Sequence, residues 1–388
     1  SFLKKIVNSL DTQKVKNVVI VPTGSKGGFI IKKAFDKKDA AVESRKHYES
    51  FITGLLMLTD NLDSNGKIEK PKQITCYDGD DPYIVVAADK GTATFSDYAN
   101  TISKTFNFWL DDAFASGGSV GYNHKDYGIT AKGAWECVKL HFKEKNKDIQ
   151  KEPFSVVGVG DMSGDVFGNG MLLSKYIKLV AAFNHIHIFI DPDPDPAKSW
   201  VERDRLFNLP GSTWKEYDKN CISKGGGIFD RDSKKIVLSK EIMALLNVNK
   251  SELNGNELIN AILKIKADLL WFGGIGTYIK STSQTQLEVR DPANNAIRID
   301  TNECRCDVIG EGANLGMTQE ARVKLSDENI QLNTDFIDNS AGVNMSDYEV
   351  NIKILLKMLE RKNIIKSENE RVKFLTRIGT DVVEKVLN

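Results

Sequence analysis

Residues 156–170 read VVGVGDMSGDVFGNG. Gly158, Gly160 and Gly164 form GxGxxxG at the end of the β-branched run Phe154–Val159 and ahead of a helical stretch. In such a turn the first glycine permits the tight bend and the second lets backbone N–H groups approach a diphosphate. The third lets helix and strand pack closely. A helix over Met171–Phe183 and a second strand over His185–Ile190 complete a βαβ unit, whose crossover predicts a parallel sheet. That second strand ends at Asp191, where an acid is placed to accept hydrogen bonds from an adenine ribose. A glycine-rich turn without a ligand has the same spacing, so the motif leaves both readings open. Asp161 and Asp165 put carboxylates beside the turn, where acids also serve as helix caps.

Other strands end in similar turns. Asn17–Pro22 runs into Thr23-Gly24-Ser25-Lys26-Gly27-Gly28, Tyr83–Ala88 into Asp89, and Ala267–Phe272 and Arg305–Ile309 into glycines. In open parallel sheets ligands sit outside the carboxyl ends of strands, so these turns are the candidate site. Lys16 and Lys26 lie ten residues apart, at the two ends of one strand segment. Desolvation and a neighbouring cation both disfavour the ammonium form, bringing a lysine from ~10.4 towards ~7–8, where it works as a general base. A solvated turn lysine is the alternative. GSKGG lacks the GxxxxGK[ST] spacing of a triphosphate loop. Asp89 is placed to pass protons, or to cap the helix that follows.

Helical patterns cover residues 39–62, Ser96–Trp109, Gly128–Glu144, Leu253–Lys266 and Met345–Arg361, and the chain closes on a helical stretch over Asp381–Asn388. Ala115–Asn123 (ASGGSVGYN) reads as a hinge, and residues 191–235 as an irregular surface excursion. His185 and His187 alternate on one strand face and read as buried, hydrogen-bonded histidines rather than ligands.

The 388 residues are 41% hydrophobic, which is ample for real cores and calls for two or three domains. Lys+Arg and Asp+Glu are equal at 53 each, a balance that argues against a nucleic-acid binder. No apolar run approaches the ~18 residues of a membrane span. No leader is evident, and five scattered cysteines read as reduced thiols in a cytoplasmic protein. Cys304-x-Cys306 has no second pair nearby, so no metal is expected. Ser1 in place of a methionine, with helical stretches at both ends, suggests a piece of a longer polypeptide.

Taken together, seven segments resemble the catalytic core of the large, NAD-dependent glutamate dehydrogenases of bacteria. They are VKNVVIVPTGSKGG, DDPYIVVAADKGTATFSD, FWLDDAFASGGSVGYNHKDYGITAKGAWE, VVGVGDMSGDVFGNGMLLS, LLWFGGIGTYIK, IGEGANLGMTQEAR and DNSAGVNMSDYEVNIKILL. The resemblance implies an α/β fold of two domains around a cleft, one a Rossmann-like doubly wound NAD-binding domain and the other an α/β substrate domain. Residues 1–125 plus 340–388 would form the substrate domain and 126–339 the NAD-binding domain. It implies Lys26 and Asp89 as catalytic residues, Lys16 on the substrate's α-carboxylate and Ser346 on its distal carboxylate. Gly158, Gly160, Asp161, Met162, Ser163 and Gly164 would grip the cofactor's diphosphate, and Asn314 and Asn339 would lie near its nicotinamide. The implied reaction is oxidative deamination of L-glutamate to 2-oxoglutarate and ammonia with NAD as hydride acceptor. The family's upstream cationic segment is missing, as are its long terminal regions, so the parent is expected to be larger and homo-oligomeric. A non-catalytic nucleotide-binding fragment, or a dehydrogenase of another amino acid, are the competing readings. Asp191, with no Lys or Arg from 188 to 197, argues for NAD over NADP.

Overall fold

A computed structural model describes residues 29, 31–32, 35–72, 74–88 and 92–388. The strand expected over residues 17–22, and with it Lys16, Lys26 and Asp89, lies outside the described residues. Six strands form the main sheet: β1 (Phe154–Val159), β2 (Ile177–Phe183), β3 (His187–Ile190), β4 (Gly227–Asp230), β5 (Leu269–Phe272) and β6 (Val308–Gly310). Their spatial order is β6-β5-β1-β2-β3-β4. The four strands from β6 to β2 are parallel, whereas β3 is antiparallel to both β2 and β4. Strands β1, β2 and β5 are almost wholly buried, the pattern of a sheet covered on both faces.

Alternation along the strands sorts side chains between two cores. Phe154, Val156, Leu269 and Trp271 join one, and Val157, Val159, Leu270 and Phe272 the other. In β2 a bulge interrupts this order. Val156 pairs with Leu179 and Val157 with Ala181, so Val180 is an extra residue. The shift sends Ile177 and Leu179 to one core but Ala181 and Phe183 to the other.

This arrangement corrects the expected βαβ unit. The helix after the glycine turn spans only Asp165–Gly170, and residues 177–183, expected as helix, are the second parallel strand. Tyr83–Ala88 forms no strand; Val86 makes a single bridge to Ala115. The excursion at 191–235 holds a twelve-residue helix, Pro196–Phe207, and β4.

Outside the sheet, helices α1 (Ala40–Leu58) and α2 (Thr92–Thr105) enclose a third core with Phe108, Leu110, Phe114 and Val350. The short helix α3 (His124–Tyr127) leads into α4 (Ile129–Glu144), and α5 is Asp165–Gly170. Two C-terminal helices, α6 (Ser340–Arg361) and α7 (Glu368–Leu387), build a fourth core with Tyr122 and Ile129. Buried charges tie these helices to the loop at 111–122. Arg371 Nη1 donates to both carboxylate oxygens of Asp112, at 2.9 and 2.8 Å. Lys353 Nζ donates to the Asp112 carbonyl at 3.1 Å and pairs with Glu349 at 2.7 Å. Among the described residues no helix is long and apolar enough to cross a membrane.

Helix α4 crosses α6 at Gly133, where an added Cβ would overlap the Cβ of Ala341. Gly133→Ala is therefore expected to destabilise the fold by about 1–3 kcal/mol through overpacking, despite a helix-propensity gain of ~1 kcal/mol. Denaturant unfolding checks this, and Gly133→Ala combined with Ala341→Gly should recover most of the loss. An unchanged midpoint in the single variant would mean that the helices separate at little cost.

Candidate active site

From β1 the chain moves to β2 on one side and later returns to β5 on the other. The crevice outside the carboxyl ends of β1 and β5 is thus the topological switch point of the sheet. Backbone bonds hold the strand ends together there. Gly160 N donates to Phe183 O at 2.8 Å, Gly273 N to Val159 O at 2.9 Å, and Ala313 N to Phe272 O at 2.8 Å. Phe167 of α5 packs into this junction. A Cβ at Gly158 would come within 2.5 Å of its ring, and one at Gly160 or Gly273 within 2.6 Å of its Cβ. Gly160 also has φ 143°, a conformation that favours glycine. The Trp214 indole, stacked on Phe189, donates to the Gly160 carbonyl at 3.0 Å and steadies the turn from below.

Asp161 organises the turn. Its Oδ1 accepts from the backbone N–H groups of Ser163 and Gly164, both at 3.1 Å, and from Ser163 Oγ at 2.6 Å. Its Oδ2 accepts from Asn184 Nδ2 at 2.8 Å. Asp165 accepts from Asn169 at 3.0 Å, and burial pushes its carboxyl pKa up. The Met162 side chain points into the core, so only its backbone faces the turn.

Asp191 is not where the sequence reading put it. Because β3 runs antiparallel to β2, Asp191 lies beside Val180 rather than beside Phe183, and its N–H donates to the Val180 carbonyl. Its side chain is fully buried, with Oδ1 bound by the N–H and hydroxyl of Ser223, and burial raises its pKa. Asn184 takes the expected place at the end of the second parallel strand. A cation is also close, contrary to expectation: Arg231 Nη1 donates to the Asn184 carbonyl at 3.1 Å. His187 is buried but has no partner on Nδ1, and His185 is exposed ahead of the strand.

The segment 122–128 links this turn to α6, a role the sequence reading missed. Lys125 Nζ donates to the Ser163 carbonyl at 3.0 Å, and Asn169 Nδ2 donates to the Lys125 carbonyl at 3.1 Å. A cavity of about 680 Å³ opens beside Lys125, Ser163, Asn169 and Phe207. The preceding residue turns the other way: His124 Nε2 lies 3.1 Å from Ser346 Oγ. His124 stands inside one of the family segments, with no local spacing that marks it.

Asn314 and Asn339, far apart in sequence, are brought together, with Asn339 Nδ2 donating to Asn314 Oδ1 at 2.7 Å. The turn carrying Asn314 is held by buried carboxylates. Glu311 N donates to Asp338, Leu315 N to Asp335 and Gly316 N to Glu311. Leu315 sits at φ 67°, a strained conformation for a bulky residue. Arg322 donates to both Glu311 oxygens, at 2.8 and 2.9 Å.

Arg322→Met leaves Glu311 buried and unpaired near Asp335 and Asp338, and is expected to cost about 3–5 kcal/mol. Burial already raises the Glu311 carboxyl pKa, with help from Asp335 and Asp338. A raised carboxyl pKa means that the folded form keeps its proton longer, so stability is greatest below the unfolded value and is lost as pH rises. In the variant the loss should therefore grow as pH rises from about 4.3 past neutrality, which unfolding curves at several pH values would read.

Three curated relatives are about half identical to this chain. An NAD-specific glutamate dehydrogenase of Mycobacterium tuberculosis is 51% identical over 100% of the chain and 25% of its own length. Another from Halomonas elongata is 50% identical over 100% of the chain and 24% of its own length. One from Pseudomonas aeruginosa is 54% identical over 92% of the chain and 22% of its own length. The chain thus spans about a quarter of the length of the relatives it matches. Residues 1–388 match, without remainder, the family described as bacterial NAD-glutamate dehydrogenase, catalytic domain, and the chain belongs to that family.

Proposed function

We propose that the polypeptide carrying this chain catalyses oxidative deamination of L-glutamate to 2-oxoglutarate and ammonia, with NAD as cofactor. The observation that carries the reading is the identity of half the residues, over all or nearly all of the chain, to enzymes named for that activity. The glycines at the switch point let Phe167 of α5 pack under the turn. A cavity lined by Lys125, Ser163 and Asn169 opens on the far side of the turn. On this reading the turn from Gly158 to Gly164 receives the diphosphate, with Lys125 as the nearby cation. Asn184 and Asp161 face the adenosine ribose in place of Asp191, and the bonded pair Asn314–Asn339 faces the nicotinamide.

NAD, when bound, would supply the acceptor to which the α-hydrogen of glutamate passes as hydride. Lys16 holds the α-carboxylate, and Ser346 on α6 takes the distal carboxylate. Asp89 exchanges a proton with the substrate nitrogen. Lys26 removes a proton from the water that attacks the iminium carbon, and the carbon–nitrogen bond then breaks to release ammonia. Positioning of both carboxylates and exclusion of bulk water strengthen these charge interactions. The third core draws only on residues within 1–125 plus 340–388 and the sheet's two cores only on residues within 126–339, which supports that division, although the fourth core takes Ile129 from across the boundary. The reading extends to a cytoplasmic, self-associating parent, which sedimentation of the intact polypeptide would check.

Steady-state kinetics of the intact polypeptide with a panel of amino acids tests the substrate. Lys26→Ala should lower kcat by about 10²–10⁴-fold with a much smaller change in KM for glutamate, because a general base acts in the transition state. A variant with more than half the wild-type kcat would sink the assignment. Asp89→Asn should fall comparably, whereas a mere helix cap would survive that change.

Asp191→Ser should leave the ratio of NAD to NADP affinity unchanged, since Asp191 is buried away from the strand ends. A shift in that ratio, measured by titration of both cofactors, would restore Asp191 to the ribose.

A further inference from the structure

The contact between His124 and Ser346 joins two parts of the chain 222 residues apart. His124 opens α3, held by the N-cap Asn123, whose side chain accepts from Lys125 N. Ser346 lies on α6 one turn after Gly342. A Cβ at Gly342 would stand 3.5 Å from His124 Nδ1 and 2.5 Å from Thr130 Oγ1, so the glycine gives the imidazole and the threonine room against the helix. Both His124 and Ser346 are half-buried, so the pair stays reachable from solvent.

A serine hydroxyl has one proton to donate, and its neighbour decides where it goes. When His124 Nε2 carries no proton, it accepts that of Ser346, and the hydroxyl is spent. When Nε2 carries a proton, it donates to Ser346 Oγ, and the serine proton must point elsewhere. The doubly protonated ring secures the second arrangement and adds a positive charge behind it.

We propose that His124 is a positioning residue for the substrate's distal carboxylate: its protonated form turns the Ser346 hydroxyl outward as a donor and supplies the charge that favours a dicarboxylic over a neutral amino acid. The inference rests on Ser346 meeting the distal carboxylate, as proposed above. Glu349 on α6 and Asp165 on α5 are the charged groups facing the ring, and Lys125 and Asp126 share its helix. Glu349 is paired with Lys353 and accepts from two backbone N–H groups. Burial lowers the His124 pKa and so disfavours the charged ring, and an arriving carboxylate offsets that cost and favours uptake of a proton. Affinity for a distal carboxylate accordingly falls as pH rises.

The test uses the intact polypeptide and two competitive ligands, glutarate and pentanoate, which differ only in the distal carboxylate. The advantage of glutarate over pentanoate is expected to fall about tenfold between about pH 6 and pH 8 in the wild type. In His124→Gln, whose amide donates to Ser346 at any pH, part of the advantage should persist but without the pH slope. In His124→Ala, KM for glutamate should rise about tenfold while KM for NAD stays within about twofold. A wild-type slope retained in His124→Gln would overturn the role of His124 and leave the Ser346 site standing. No advantage of glutarate in the wild type would overturn both. Variants that lose only thermal stability, with the ligand ratio and its slope unchanged, would reduce the contact to packing and likewise overturn the inference.

Discussion

The Glu349 carboxylate is fully buried and makes three strong contacts: Lys353 Nζ at 2.7 Å, Gly117 N at 2.8 Å and Tyr122 N at 2.9 Å. A buried carboxylate is tolerated only when its charge is paired and its lone pairs are met, so this geometry admits little slack. Its consequence is positional. The two N–H groups bracket the glycine loop 117–122, and pinning both ends to α6 fixes where the chain enters α3. His124 follows two residues after Tyr122, and Ser346 precedes Glu349 by one helical turn, so one buried charge registers both partners of that contact. Lys125, next in line, reaches the glycine turn after β1. The four residues from Tyr122 to Lys125 thus join α6 to the sheet's ligand edge, held by Glu349 at Tyr122 and by Asn169 at Lys125.

Much of the sheet could be read from sequence because its strands are short, apolar and followed by glycine. Phe154–Val159 matches its expected span, and Leu269–Phe272 and Val308–Gly310 fall within or beside theirs. Residues 171–183 failed for a physical reason. Leu, Ala and Lys there suit a helix as well as a strand, and a short apolar run carries no period that separates the two. The bulge at Val180 further scrambles the alternation that would have marked a strand. Tyr83–Ala88 had strand composition but found only one bridge, since pairing is decided by distant chain rather than by propensity.

The same error displaced one site residue. With residues 177–183 taken as helix, His187–Ile190 became the second parallel strand and Asp191 its ligand-facing end. Counting one more strand reverses the direction and moves that end away from the glycine turn, leaving Asn184 in its place. Asn314 and Asn339, each carried by a family segment, bond to one another although nothing local in either segment indicates it. His124 was legible only as part of a segment, because its partner lies 222 residues away and no spacing rule connects them.

The glycine turn after β1 is already occupied by an anion of its own. Asp161 Oδ1 holds the N–H groups of Ser163 and Gly164, which are the donors a phosphate would seek. Any phosphate that takes those donors displaces a tethered carboxylate, so its binding there is an exchange rather than the filling of an open cradle. The tether keeps the turn ordered between ligands, and it stands ready to reclaim the donors when a ligand loosens. On the proposed reading, such a site would give up affinity for the cofactor's phosphates and hasten their departure.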